Sequence, residues 1–169
     1  MIAPALSRPW HAVWPAHVPP LLDYPRVPAW WLLERNLRDF ATRPAIVELD
    51  HERLVERRTL TYEALWSAVR GLATGLRARG VGRGSHVGLC LPNSVALIAG
   101  YYATWYAGGV AVPVNPASRE SEIERQLTDA RVSLMVGPEG GASARAAAKL
   151  GLVHLGAAEF GRASCRERV

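Results

Sequence analysis

The sequence predicts an α/β fold in which a mostly parallel sheet is covered by helices and preceded by an extended arm. Short apolar segments alternate with segments of helical periodicity between Ala45 and Leu155. Such alternation is typical of parallel strands joined by right-handed crossover helices. Seven prolines within residues 1–28 fix the backbone and remove hydrogen-bond donors too often for regular structure.

The arm contains three large aromatic side chains, Trp10, Trp14 and Tyr24. Side chains of this size usually lie against a protein body rather than in water. We therefore expect the arm, residues 1–28, to pack on the domain that follows it.

The elements after the arm are predicted from the spacing of apolar residues. A helix over 29–41 is followed by strand 45–49, a charged turn, and a partner strand at 59–61. The next predicted elements, in order, are a helix with one apolar face ending at Gly80, strand 87–91, helix 95–107, strand 110–114, helix 118–130, strand 132–136, helix 142–150 and strand 152–155. Because the later strands are continuously apolar, we expect them to be buried on both faces.

The composition is unlike that of disordered or fibrous proteins. Hydrophobic residues make up 49% and charged residues 21% of the chain, as in ordinary globular proteins. The last nine residues, with three arginines and one glutamate, contribute +2 of the net charge of +5, and the remaining +3 is spread among alternating acids and bases. No basic stripe therefore favours a nucleic-acid partner. Only Cys90 lies outside the last nine residues, and neither a secretory signal nor an apolar membrane-spanning segment is recognisable. These features predict a reducing, cytoplasmic location.

The last nine residues, G-R-A-S-C-R-E-R-V, look foreign to the chain. They can be back-translated into the read-through of a common sequencing adapter, although a natural basic tail is the alternative. We predict three parts: the arm at 1–28, an incomplete N-terminal α/β domain at 29–160, and an artefactual tail at 161–169.

Four motifs follow one another at characteristic spacing. They are L-T-Y-E-A-L at 60–65, G-V-G-R-G at 80–84, V-G-L-C-L-P-N-S at 87–94 and Y-Y-A-T-W-Y-A-G-G-V-A-V-P-V-N-P at 101–116. Together they resemble the opening of the AMP-binding, adenylate-forming acyl-CoA synthetases. R-P-W and V-P-P-L-L-D-Y-P in the arm resemble the leader of the long-chain fatty-acid branch.

The resemblance implies that the intact protein activates a carboxylic acid with ATP and Mg²⁺ to an acyl-adenylate, then transfers the acyl group to coenzyme A. It also implies peripheral association with membranes. The chain contains no match to the family's Ser/Thr/Gly-rich phosphate loop, its acidic magnesium residue, its ribose-binding aspartate or its C-terminal lysine. We therefore assign no catalytic, cofactor-binding or metal-binding residue and expect this piece to be inactive. An aryl-CoA ligase, a peptide-synthetase adenylation domain and a noncatalytic α/β binding domain remain alternatives.

Two glycine-rich segments and one His/Cys pair are candidates for dinucleotide, phosphate or zinc binding. Residues 80–85 follow a helix, so a cap and turn are favoured over a dinucleotide loop. Residues 137–143 follow a strand and precede a helix but lack a Gly-Lys-Ser/Thr ending, so a surface turn is favoured over phosphate binding. His86 and Cys90 are four apart on a predicted strand and should share a face. Two ligands are too few for zinc, which favours buried strand residues.

Polar residues follow two of the predicted parallel strands. Pro92, Asn93 and Ser94 follow one, and Asn115 and Pro116 follow the other. This edge of an α/β sheet is where ligands bind. Helix capping by Asn93 or Ser94 and a turn at Asn115 are nevertheless the favoured roles.

Four aromatic residues share one predicted helix: Tyr101, Tyr102, Trp105 and Tyr106. A stacking platform for bases is conceivable. Packing between helix and sheet is favoured, because the neighbouring glycines permit close approach.

Overall fold

A four-stranded parallel sheet organises the chain. The computed structural model describes residues 9–19, 24–50, 52–53, 55–158 and 160. After a 3-10 helix at Pro9–Val13, its elements in order are α1 (Trp31–Glu34), α2 (Leu37–Phe40), β1 (Pro44–Leu49), β2 (Glu56–Thr61), α3 (Tyr62–Arg77), β3 (His86–Leu89), α4 (Val95–Ala107), β4 (Val110–Pro113), α5 (Glu120–Asp129), β5 (Leu134–Gly137), α6 (Ala142–Lys149) and β6 (Val153–Gly156).

The sheet has the strand order β4-β3-β5-β6, and β1 and β2 form a separate antiparallel hairpin. Val87 of β3 lies opposite Ala111 of β4 on one side and Leu134 of β5 on the other, both in parallel pairing. From β3 the chain continues to β4 at one edge of the sheet, whereas from β5 it continues to β6 at the other edge. The predicted parallel α/β fold is confirmed, and its topological switch point lies between β3 and β5.

The two faces of the sheet are covered by different helices. Val87 and Leu89 belong to the core cluster that includes α3 and α4. Cys90 and Met135 belong to a second cluster with residues of α5 and α6. Because successive strand residues point to opposite faces, one continuous apolar sequence supplies both cores.

Capping residues fix where two helices begin and end. The Thr61 hydroxyl accepts a hydrogen bond from the Ala64 backbone N–H at 3.2 Å, at the start of α3. Ser94 does the same for Leu97 at 3.3 Å, at the start of α4. Gly108 ends α4 with a left-handed φ of 95°, a conformation that glycine adopts without steric cost.

The predicted helix over 29–41 is wrong as a single element, because it divides into α1 and α2. At the break, the Asn36 side chain donates to the Leu32 carbonyl oxygen at 3.0 Å, and the Asn36 backbone N–H bonds to Leu33 three residues back. Asparagine competes in this way with the regular helical ladder. The predicted partner strand at 59–61 is also too short, because β2 begins at Glu56.

The expectation that all later strands are buried on both faces is wrong for the outer two. Val110 of β4 and Val153 of β6 are half-exposed. Both strands are edges of the sheet within the described part of the chain, so one flank of each contacts no further strand there.

The described part of the arm is not wholly irregular, because Pro9–Val13 forms a 3-10 helix. The Trp14 indole N–H donates to the Val18 carbonyl oxygen at 2.9 Å. Tyr24 is 72% exposed, which contradicts the expectation that its ring packs on the domain. The division into three parts stays a prediction, and the tail at 161–169 lies outside the described residues. No helix among the described residues is long and apolar enough to cross a bilayer.

Candidate functional site

The switch point between β3 and β5 brings Cys90 and Gly137 together at the carboxyl ends of the two strands. A Cβ placed on Gly137 would lie 2.7 Å from the Ser143 hydroxyl and 3.3 Å from the Cβ of Cys90. Burial raises the pKa of the Cys90 thiol, and contact with the Ser143 hydroxyl lowers it in part. Cys90 is therefore held as a neutral thiol and packs as a core residue, since reactive cysteines need a depressed pKa.

His86 does not join Cys90 in a ligand pair. It begins β3, and its Nδ1 forms a hydrogen bond with the Ala130 carbonyl oxygen. A carbonyl only accepts, so Nδ1 carries the proton. Within the described residues no three His, Cys, Asp or Glu side chains form a group that could hold a metal.

One cation contacts the loop at 137–143, and it also has a carboxylate partner. Arg145 donates to the Gly140 carbonyl oxygen at 3.1 Å and to the Glu120 carboxylate at 2.6 Å. Lys149, the only lysine in the chain, lies 2.5 Å from Glu120 and 2.6 Å from Glu124. Hydrogen bonds from Lys149 and then Arg145 lower the pKa of Glu120 to about 2. Arg145 and Lys149 thus form a clasp between α5 and α6 with the two carboxylates.

The other glycine-rich segment is also a turn, as predicted. Gly80 and Gly84 both have φ near 83°, in the region that favours glycine. The Gly82 N–H donates to the Ser85 hydroxyl at 3.0 Å. The segment joins α3 to β3, so it does not present a helix N-terminus to a phosphate.

The polar residues after β3 and β4 have structural roles. Ser94 caps α4 and also donates to the Pro92 carbonyl oxygen at 2.9 Å. The Asn115 side-chain oxygen accepts from the Ala117 N–H at 2.9 Å, which is an Asx turn. Asn93 is placed differently, because it lines a groove beside α4.

This groove has a volume of about 580 Å³. It lies between β1 and the start of α4. The Glu48 carboxylate accepts the Val95 N–H at 3.0 Å, and Arg57 stands 3.9 Å from the other Glu48 oxygen. A carboxylate is favourable at a helix N-terminus, and the Glu48 side chain is the carboxylate at the start of α4. Glu48 therefore supplies the negative charge at the N-terminus of α4.

Sequence reasoning missed Glu48. The available signal was a single acidic residue inside the apolar strand 45–49. Nothing in the sequence, however, brings it to a helix 47 positions later.

Tyr106 packs against the core cluster that includes residues of β3, as predicted, and it also contacts two tryptophan rings. Its ring lies 5.2 Å from Trp30 and 5.0 Å from Trp66, both edge-to-face. The Arg77 guanidinium lies 5.0 Å from the Tyr106 ring centroid and donates to the Tyr106 carbonyl oxygen. Arg77 is exposed, and it links the last turn of α3 to the last turn of α4.

The other aromatic residues of α4 form a second cluster. Trp105 stacks on Tyr101 at 5.7 Å and meets Tyr102 edge-to-face at 5.4 Å. Gly100 provides the predicted close approach to the sheet, because a Cβ there would lie 3.4 Å from Leu89. The neighbouring rings contact one another, which fits packing rather than a platform for bases.

Two observations on the described residues bear on the binding of ATP and Mg²⁺. Triphosphate binding needs clustered backbone donors with a free cation, and Mg²⁺ needs oxygen ligands in one place. Lys149 is neutralised by two carboxylates, and the described acids form no three-membered group.

Comparison with known proteins shows two relatives of different kinds. The chain is 30% identical over 130 residues to a long-chain-fatty-acid–CoA ligase of Bacillus subtilis, covering 77% of this chain and 22% of the relative. It is 34% identical over 114 residues to tyrocidine synthase 2 of Brevibacillus parabrevis, covering 68% of this chain and 3% of the relative. The chain therefore spans less than a quarter of either relative's length.

Among solved structures, a long-chain-fatty-acid-CoA ligase from Archaeoglobus fulgidus superposes with a TM-score of 0.71 at 21% identity. The match covers 84% of this chain and 31% of that structure, and at this identity it shows the shared fold. Residues 33–161 match the family described as AMP-binding enzyme. Since the match includes the hairpin, both helical layers and the whole parallel sheet, the chain belongs to the AMP-binding enzyme family.

Proposed function

We propose that this chain works as part of an AMP-forming ligase that activates a carboxylic acid with ATP and transfers it to the thiol of coenzyme A. A long-chain fatty acid is the proposed substrate. The observation that carries this choice is the 130-residue similarity to the Bacillus subtilis long-chain-fatty-acid–CoA ligase. The leader-like arm of the sequence adds support, because it resembles the same branch.

Adenylation requires a clamp on the phosphates and neutralisation of their charge in the transition state. ATP, Mg²⁺ and coenzyme A are accordingly the proposed cofactors of the whole enzyme. In this chain the one lysine is held by Glu120 and Glu124. The 169 residues alone are proposed to be inactive and to supply the sheet against which the catalytic part is built.

A second candidate is an adenylation domain that activates an amino acid. The higher identity to tyrocidine synthase 2, 34%, supports it. A noncatalytic binding domain is a third class, and it predicts no ATP chemistry in any longer gene product.

The deciding experiment uses the product of the gene read beyond residue 160. Acid-dependent exchange of pyrophosphate into ATP is measured with palmitate, with 4-coumarate and with each of the twenty amino acids. We expect exchange with palmitate, and AMP rather than ADP when coenzyme A is added. Exchange with amino acids alone would establish the second candidate, and no exchange with any acid would overturn the proposal.

A cytoplasmic location with reversible membrane contact belongs to the same proposal. The buried, unpaired Cys90 supports a reducing compartment. Fractionation should find the enzyme in the cytosol and on membranes that release it in high salt or carbonate. Recovery only in a secreted fraction would contradict this.

A further inference from the structure

His154 carries a buried ring nitrogen that lacks a hydrogen-bond partner. It lies in β6, opposite Met135 of β5. Neighbouring residues of paired strands point to the same face of a sheet, and Met135 belongs to the cluster with residues of α5 and α6. The imidazole therefore lies on the side of the sheet that these helices cover. Its Nε2 is buried, and no group of the described residues bonds to it. A neutral nitrogen without a partner costs far less there than an unpaired charge.

A nearby carboxylate acts on the His154 ring. Glu139, in the loop after β5, lies over Gly156, because a Cβ placed on that glycine would be 2.7 Å from the Glu139 Cγ. Burial lowers the pKa of the His154 imidazole, and the charge of Glu139 raises it in part. Glu139 is exposed, so water screens its charge. The folded chain therefore favours the neutral ring.

The elements packed against β6 supply no further counterion for the ring. Strand β5 has the sequence LMVG, which contains no titratable side chain. Helix α6 carries two cations, Arg145 and Lys149, and both form ion pairs with carboxylates of α5. Within the part of the chain that the structure describes, a protonated His154 would thus have Glu139 alone to offset its charge.

Strand β6 is short and lies at an edge of the sheet. It has four residues, and among the described strands it pairs with β5 alone. Val153 at its start is 51% exposed. Local openings of low free energy occur where few contacts hold an element in place. Opening of β6 is therefore the least costly way to bring a charged His154 ring into water.

We propose that His154 is an acid-sensitive latch, whose neutral ring lets β6 lie against the sheet and whose protonation releases β6 from β5. The latch is a property of the fold and goes beyond the proposed ligase activity. Because the folded state lowers the pKa of His154 below its ordinary 6.5, the latch contributes fully above that pH and loses its contribution as the pH falls. Release would separate Gly156 from Gly137 at the carboxyl ends of the strands, where α/β sheets bind ligands.

Hydrogen exchange of the 169-residue chain tests the release. Protection of the amides of residues 153–156, corrected for the intrinsic exchange rate, is compared at about pH 7.5 and about pH 5.5. One group with an ordinary pKa of 6.5 can change the opening equilibrium at most about tenfold over this interval. We expect protection to fall about three- to tenfold, and a loss below about twofold overturns the proposal. The β6 amides should also be less protected than those of α3 at the lower pH. Equal protection would mean that acid unfolds the whole chain, and the proposal fails.

Two variants of His154 identify the group that titrates. His154→Gln keeps a polar side chain and His154→Met an apolar one, and neither can be protonated in this pH range. In both, protection of β6 should change less than about twofold between the two pH values. The matched control is His17→Gln, at an exposed position of the arm, and it should keep the pH dependence of the parent chain. The parent's pH dependence in either His154 variant would assign it to another group and overturn the proposal.

Nuclear magnetic resonance of the imidazole separates release from capture of the charge in place. The His154 signal is the one missing from His154→Gln, and we expect it to titrate below its ordinary pKa of 6.5. Glu139→Gln should lower the midpoint further, because it removes the charge that attracts the proton. Titration at or above 6.5 with β6 still protected would mean that Glu139 holds the charged ring inside the fold, which overturns the proposal.

Discussion

Gly88 lies in β3 on the face that the second helical layer covers, and it leaves little room for a side chain. An added Cβ there would lie 2.5 Å from the Met135 sulfur, 3.2 Å from Leu127 and 3.3 Å from Val132. Met135 is fully buried and Leu127 nearly so, so neither can swing into solvent. Gly88→Ala therefore forces one methyl group into a filled core.

Overpacking of this kind costs typically about 1–3 kcal/mol. We expect Gly88→Ala to lose about 2 kcal/mol, roughly a thirtyfold change in the ratio of folded to unfolded protein. Gly82→Ala is the matched control, because a Cβ at Gly82 meets nothing within 4 Å and its φ is not in the left-handed region. That substitution should stay within about 0.5 kcal/mol of the parent.

Urea denaturation at 10 °C, followed by far-ultraviolet circular dichroism, measures both variants. A double-mutant cycle with Met135→Ala identifies the cause. Met135→Ala alone should cost about 2–5 kcal/mol, and the double variant should lose at least about 1 kcal/mol less than the sum of the single losses. The reasoning is refuted if Gly88→Ala matches Gly82→Ala, or if the two losses simply add.

Four further outcomes are expected. Because the pKa of Glu120 is lowered from 4.5 to about 2 in the folded chain, its clasp stabilises fully above pH 4.5 and loses that contribution as the pH falls toward 2. Across this pH range, the free energy of unfolding of the Arg145→Met/Lys149→Met variant should fall less than that of the parent chain. The same pH dependence in both proteins would contradict the clasp. Glu48→Ala should cost about 1 kcal/mol by uncapping α4, whereas an unchanged urea midpoint would show that its hydrogen bond contributes nothing. The isolated 169-residue chain should give no acid-dependent pyrophosphate exchange, and exchange above a denatured control would disprove this. It should also fold marginally because its sheet edges and apolar groove are exposed, so a sharp cooperative melt of a soluble monomer would argue for a free-standing domain.

The sequence was sufficient wherever one local pattern decides the structure. Helix α4 was predicted with the bounds that the structure has, because Ser94 and Gly108 mark its ends by capping chemistry. The apolar face of α3 was predicted from the 3.6-residue period, and Leu65 and Val69 on it are buried. Local rules of this kind need no knowledge of the rest of the fold.

The sequence was insufficient wherever distant segments decide. Glu48 became a helix cap only because the hairpin folds against α4. Strand burial was overestimated at Val110, since apolar periodicity does not reveal which strand is last in a sheet.

We expect the choice of acid in the proposed ligase to depend on residues outside this chain. Similar identity links it to a long-chain-fatty-acid–CoA ligase and to tyrocidine synthase 2, although those proteins are named for different products. The described strand ends explain why: Cys90 and Ser143 are buried against each other at the switch point, and Glu48 fills the helix terminus beside the groove. Side chains committed to internal contacts cannot discriminate between a fatty acid and an amino acid, because discrimination requires groups that gain or lose partners with the substrate. Substitutions that leave the fold intact here should therefore change stability without changing the order of preference among acids in the longer enzyme.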